Sequence, residues 1–309
     1  MTTAPKSRAT ARSHLALGAL LAACALLATG CGGSSEAAGA STDKATDPAL
    51  HERLPSSVKD SGVLKIGTVT STSPLTEKPG SEVTGLIPDL AHAMAARLGV
   101  RVEFVESPMA NQVSALKSHR VDVTWSAMTP TKEREESVHM VPFIRTASAP
   151  IVQKGNPAGI KDATDLCGKS VGIVRGGNSH MALNAFQKNV CESKGLKPIK
   201  PKLYDKSADG LLQLQSGKID AFVGIGIQLK HVAETANGGS TFDFVDKAID
   251  RSVLTICVDK NDTELANLLR DTLRKVIASG EYQNILKKYG GEGDALTEKE
   301  TELDPAVNS

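Results

Sequence analysis

The sequence predicts an α/β fold of two lobes with a similar plan, each a mostly parallel sheet covered by helices. Three observations lead there. Strand and helix signals alternate from Val63 to Tyr289, as expected of helices packed on a largely parallel sheet. A seven-residue phrase occurs twice, 98 residues apart. The length, 309 residues, suits about two domains.

The elements follow in order. Val63-Leu64-Lys65-Ile66-Gly67 is a short apolar strand. Ile87, Leu90, Ala91, Met94 and Leu98 recur at helical spacing, with Pro88 in the first turn and Gly99 as the stop. Val100, Val102 and Phe104 alternate as a strand, a short helix runs through Val113 and Leu116, and a strand spans Val121 to Ala127. Alternation in that strand sets Trp125 on the face opposite Ser126, which points it to the core. After a connecting stretch come a strand at Val171–Val174, a helix at Ser179–Asn189 and a strand at Lys202–Tyr204. A helix at Leu211–Gln215 and a strand at Asp220–Gly224 complete that series. Leu265, Leu268, Leu269, Thr272, Leu273 and Val276 form one apolar helical stripe, and a last helix through Tyr282, Ile285, Leu286 and Tyr289 follows Gly280.

The repeated phrase is Leu116-Lys117-Ser118-His119-Arg120-Val121-Asp122, matched by Leu214-Gln215-Ser216-Gly217-Lys218-Ile219-Asp220. Each copy ends a helix, turns tightly and opens a strand. A period this long is not that of a solenoid; two similar lobes are the simplest account, and chance recurrence of a common helix–turn–strand phrase is the alternative.

Lys+Arg number 36 and Asp+Glu 35, so the basic footprint of a nucleic-acid binder is missing. Aromatics make up 3% of the chain, which disfavours a ring-walled pocket. At the N-terminus, Lys6, Arg8 and Arg12 precede an apolar run from Leu15 to Thr29. That run falls short of the roughly 20 residues that span a bilayer and reads as the core of a signal peptide over residues 1–30. Ala28-Thr29-Gly30-Cys31 resembles the lipobox of bacterial lipoproteins, with Ala28 where Leu is usual. Leu21-Ala22-Ala23-Cys24 fits the pattern better by letter, but cleavage there would leave Ala25-Leu26-Leu27 at the new end. Cys31 is therefore the expected lipidation site, with secretion without lipid as the remaining alternative. Gly32 to about Pro48 reads as a polar tether and 291–309 as a disordered tail.

Several phrases together resemble the bacterial extracellular solute-binding proteins of the polar amino-acid ABC-importer type. They are Gly62-Val63-Leu64-Lys65-Ile66-Gly67-Thr68, Gly85-Leu86-Ile87-Pro88-Asp89-Leu90, and Ala127-Met128-Thr129 with Glu133-Arg134. Asp165-Leu166-Cys167-Gly168-Lys169-Ser170-Val171-Gly172, Ser279-Gly280-Glu281-Tyr282 and Lys288-Tyr289-Gly290 continue the match, which covers about residues 58–290. The resemblance implies a two-lobed, type II periplasmic-binding-protein-like fold, with two hinge strands and a ligand cleft between the lobes. Lobe 1 would hold 58–146 and 254–290, lobe 2 would hold 147–253, and residues 31–57 would form the lipidated tether.

The resemblance also implies a site. Arg134, five residues after Thr129, matches the arginine that pairs with a ligand carboxylate, and a guanidinium fork suits that partner. Taken alone, Lys132-Glu133-Arg134-Glu135-Glu136 would read as an exposed charged helix. Thr129, Ser126 and Ala127 sit where hydroxyls and backbone groups face the cleft. Gly176, Gly177 and Asn178 precede a helix whose first N–H groups attract an anion. Thr72, Leu75 and Met109 stand where aromatic walls are usual. The acid expected for an α-ammonium is replaced by Ile225, and the one used for cationic side chains by Val69. The expected ligand is thus a small polar carboxylate, an amino acid or derivative, with little need of an α-ammonium.

Related exported proteins often join the positions of Cys167 and Cys191 in a disulfide, which leaves Cys257 as a buried free thiol. No His pair has metal-ligand spacing and no nucleophile or P-loop motif occurs, so neither metal nor cofactor is expected. The expected function is capture of a solute by lobe closure, without chemistry, for an ABC permease. The chain would act as a monomer on the outer face of the cell membrane, held by lipid alone. A cleft enzyme on the same fold is the alternative, with Glu106 and Asp89 as its nearest carboxylates. A sensor domain is the third, though sensors continue into a membrane helix.

Overall fold

A computed structural model describes residues 46–306. The signal-peptide and Cys31 expectations, and most of the tether, lie outside the described residues, as do residues 307–309.

The described chain opens with α1 (Pro48–His51) and α2 (Ser56–Ser61). The expected tether of residues 31–57 is corrected here from Thr46 onward. Leu50, Leu54 and Val58 recur every four residues and are buried in the first core. The Asp47 carboxylate accepts from the N–H groups of Ala49 and Leu50, capping α1. The small, polar residues before it hid this apolar stripe.

The first lobe continues through β1 (Val63–Thr68), β2 (Ser71–Thr72), β3 (Thr76–Glu77), α3 (Leu86–Leu98), β4 (Arg101–Glu106), α4 (Gln112–Lys117), β5 (Val123–Trp125) and α5 (Lys132–Ser137). The long β6 (Val138–Gln153) leads to the second lobe. There follow β7 (Ser170–Val174), α6 (Asn178–Phe186), β8 (Lys200–Tyr204), α7 (Ser207–Gln215), β9 (Ala221–Ile225), α8 (Gly226–Thr235) and β10 (Phe242–Phe244). β11 (Asp250–Asp259) returns to the first lobe, where α9 (Thr263–Ala278) and α10 (Glu281–Lys288) pack.

Among the described residues, nine strands form one sheet in the order β4-β1-β5-β11-β6-β9-β7-β8, with β10 on β6, while β2 and β3 pair separately. Each lobe contributes a parallel triplet, β4-β1-β5 and β8-β7-β9. Between them, β6 and β11 pair antiparallel from Asp250↔Ser148 to Asp259↔Val138. They are the two hinge strands. One apolar core lies on the first lobe around Leu64, Ile66, Leu90 and Leu268. Another lies on the second around Val171, Ile173 and Leu183. Trp125 is 1% exposed and meets Phe143 edge-on.

The repeated phrase has one physical role in both lobes. The Asp122 carboxylate accepts from Lys65 N–H at 2.7 Å while Asp122 N–H donates to Lys65 O. Asp220 does the same with Ser170, also at 2.7 Å. Each aspartate thereby ties the start of its strand to the neighbouring parallel strand. The turn before it needs a left-handed residue, His119 at φ 53° and Gly217 at φ 71°. Leu116 and Leu214 are buried beneath the two turns.

α6 runs on through a wide turn at Gln187–Glu192, which carries Cys191 to a disulfide with Cys167. Cys257 is a free, buried thiol. The expected disordered tail is also corrected. Residues 291–306 form a strap docked on the first lobe and its hinge strand. Leu296 and Thr301 are buried. Arg145 of β6 donates to Ala295 O and forms a bidentate pair with Glu300. Asp304 accepts from Lys260 Nζ and Met140 N–H and pairs with His139, and Ala306 N–H donates to the buried Glu135. The acidic composition that suggested looseness instead pairs with basic side chains distant in sequence. Among the described residues no helix is long and apolar enough to cross a membrane.

Candidate functional site

The site begins with α5, the charged segment that follows β5. Thr131 caps it by accepting from Arg134 N–H. The helix is not evenly exposed, for Glu135 is 1% exposed and Arg134 is half-buried. Arg134 turns toward the cleft. Its Nη1 donates to Thr129 O at 2.7 Å and to Asn178 Oδ1 at 3.0 Å, with Thr129 Oγ1 at 3.4 Å. Asn178 opens α6 in the second lobe, and its Nδ2 donates back to Ala127 O at 3.4 Å. Gly176 turns the chain into α6 at φ 71°, a conformation glycine takes without strain.

These residues frame a cavity of about 220 Å³ between the lobes. Thr72, Met109, Ala127 and Arg134 line it from the first lobe, and Gly176, Gly177 and Asn178 from the second. Seven residues singled out in the sequence therefore meet on one cavity, and Ile225 lines it with them. A larger cavity of about 490 Å³ lies along β6, β11 and α6 and shares Asn178, Ser179 and Ile225 with the first. The smaller cavity is the candidate site, because it holds Arg134 and the turn before α6.

Three expected site residues fall elsewhere. Leu75 is fully buried and lines neither cavity, because the β2–β3 turn folds it into the first core. Ser126 is 2% exposed, its Oγ accepting from Gln112 Nε2 at 2.5 Å and Val69 N–H at 3.3 Å. It holds the wall rather than forming its surface. Thr129 lines the larger cavity and steadies Arg134. The two carboxylates considered for an enzyme also lie away. Asp89 accepts from Lys288 and Tyr289 at 2.8 and 2.9 Å, Glu106 is exposed, and neither lines either of these two cavities.

The sequence reading missed Ser207, Phe222 and Gln228 on the cavity wall. Gln228 stands in the first turn of α8, a helix with no side-chain cap. Without a start signal the helix went unread, and so did the residue. Among the described residues lining this cavity, Arg134 is the one side chain that carries charge. Among the described residues, no group of three or more His, Cys, Asp or Glu could hold a metal ion.

Two parallel-sheet lobes, a pair of antiparallel hinge strands and an arginine-bearing cleft define a bilobal receptor for small solutes. The chain belongs to the bacterial extracellular solute-binding proteins, family 3, whose model matches residues 64–292. It is 28% identical over 232 residues to the arginine-binding extracellular protein ArtP of Bacillus subtilis, covering 73% of this chain and 85% of that protein. It is 24% identical to the L-cystine-binding protein TcyJ of Escherichia coli, covering 78% and 87%. A solved structure of an ancestral arginine-binding protein bound to arginine superposes with a TM-score of 0.61 at 31% identity, covering 74% of this chain and 99% of that one. The named relatives are binding proteins.

Proposed function

We propose that this chain is the lipid-tethered receptor of an ABC importer and captures a small, polar, carboxylate-bearing solute by closing its lobes on it. One observation carries the reading. Arg134 of the first lobe meets Asn178, at the start of α6 in the second, at 3.0 Å. A carboxylate placed there would be held from both sides, by the guanidinium fork and by N–H groups at a helix start. Both lobes would then favour the closed form, which a permease reads as a shape. Among the described residues, Arg134 bonds the protein through Nη1 alone, so its Nε and Nη2 donors remain for the ligand.

The cavity wall supports binding without chemistry, since among the described residues lining it the one charged side chain is an arginine, with no carboxylate, imidazole or thiol beside it. Lobe boundaries near 146–147 and 253–254 fit this reading, because both fall within the hinge strands. The lipid anchor rests on the sequence around Cys31.

A thermal-shift screen of residues 46–309 against amino acids, hydroxy acids, other small carboxylates, amines and osmolytes tests the reading. A ligand at 100 times its Kd adds about 2.7 kcal/mol to stability, enough to raise the melting temperature visibly. At least one carboxylate is expected to do so. Stabilisation by amines alone would overturn the reading.

A further inference from the structure

We infer that Gln228 is the specificity residue of this cleft, and that it selects a carboxylate ligand whose second polar group is neutral, such as a hydroxyl or amide. The inference rests on the proposed carboxylate reading and goes beyond it to the other end of the ligand. Its first support is charge. The cavity wall carries Arg134 and no acidic side chain. A ligand with one negative charge is neutralised there, whereas an ammonium would enter a closed cleft with no anion to meet it.

The second support is an accounting of polar side chains. Most of those on the wall are already engaged within the protein. Asn178 is held by Arg134 and Ala127, Ser179 bonds Ser148 at 3.0 Å, and Thr72 donates to Val69 O at 3.3 Å. The Gln228 side chain has no hydrogen-bond partner among the described residues, although it is half-buried on the wall; the Ser207 hydroxyl has none either, but that residue is exposed to water. A half-buried amide with neither a partner nor a structural duty is suited to a ligand.

The third support is direction. Ile225 ends β9 and precedes α8, and Gln228 lies three residues further on, one turn into that helix. Helical side chains lean toward the helix start, so a residue here covers the surface one turn back. The Gln228 amide is therefore carried over apolar Ile225, toward the cavity both residues line. An amide both donates and accepts, which matches a hydroxyl or another amide and gives no preference for a cation.

Calorimetric titration of the full chain with matched pairs tests this: L-lactate and L-alanine, L-2-hydroxyisocaproate and L-leucine, L-3-phenyllactate and L-phenylalanine. The wild type is expected to bind a hydroxy acid at least as tightly as its amino partner. Gln228→Leu should weaken that binding by about tenfold, the upper range for one hydrogen bond. Gln228→Glu should reverse the order within the pair, favouring the ammonium-bearing member by about tenfold, because it supplies the missing anion. The unliganded melting curve checks folding, and Gln228→Glu keeps the test open if Gln228→Leu does not fold. Binding that needs Arg134 but is unchanged in both Gln228 variants overturns this inference and leaves the carboxylate reading standing. A wild type that prefers the amino acid in every pair also overturns it. A wild type that binds no carboxylate in this panel or in the thermal-shift screen overturns both.

Discussion

Arg134 Nη1 and Asn178 Oδ1 lie 3.0 Å apart, and the two residues come from opposite lobes. The same guanidinium is anchored at its root by Thr129 O at 2.7 Å. One side chain thus steadies the first lobe's wall and touches the second lobe.

That placement makes Arg134 the residue on which binding should depend most. Arg134→Ala is expected to weaken binding of a carboxylate identified in the screen by about 2 to 5 kcal/mol, as for truncating one partner of a buried charge pair. Arg134→Lys should restore only part of it, because a point charge lacks the fork. Titration calorimetry decides, and normal binding by Arg134→Ala would remove the residue from the site.

The cysteines make a second prediction. Reducing the Cys167–Cys191 disulfide opens a loop with a sequence separation of 24, which should lower stability by up to about 3.5 kcal/mol in the chain-entropy account. Cys257 should behave differently. Burial pushes its thiol up to about 11, and the side chain is 1% exposed. In the folded protein Cys257 should ignore a thiol reagent at pH 8, and unfolding without reductant should make that thiol reactive. Peptide mapping that joins Cys257 to either partner would contradict this.

The C-terminal strap predicts a pH dependence. The Thr297 hydroxyl and N–H, and then Arg145, hold Glu300 down to about 2. Burial opposes ionisation of Asp304, but Lys260, His139 and Met140 N–H outweigh it and lower its pKa too. Both carboxyls titrate lower in the folded chain than in the unfolded one. Their contribution is therefore complete above an unfolded pKa of about 4.5 and is lost as pH falls toward about 2. Melting temperature should drop over that window, and drop less steeply in a Glu300→Gln, Asp304→Asn double variant. Equal slopes would mean that these two carboxyls do not stabilise the fold.

The anchor is tested in cells. Cys31→Ala should release the protein from membranes, whereas Cys24→Ala should not. The opposite result would move the lipid to Cys24.

The sequence by itself determined the elements whose causes are local. α3 was legible because its apolar residues recur at helical spacing between Pro88 and Gly99, and every one of Ile87, Leu90, Ala91, Met94 and Leu98 is buried. The two lobes were legible because Asp122 and Asp220 repeat one strand-start bond in two places. Arg134 stood out only through the family resemblance, in which an arginine follows Thr129 by five residues, since its own neighbours suggested an exposed helix. Other features existed only once distant segments met. β6 is buried on both faces along most of its length, so it shows no alternation to mark it as a strand. Residues 291–306 read as a loose acidic tail because Glu300 finds Arg145 155 positions away, and Asp304 finds Met140 164 positions away. Leu75 and Ser126 were assigned to the cleft by position, but tertiary packing turned both inward. Gln228 joined the cleft because α8 packs behind β9. A local pattern can state what a segment prefers, while burial and pairing between remote segments are settled only when the whole chain closes on itself.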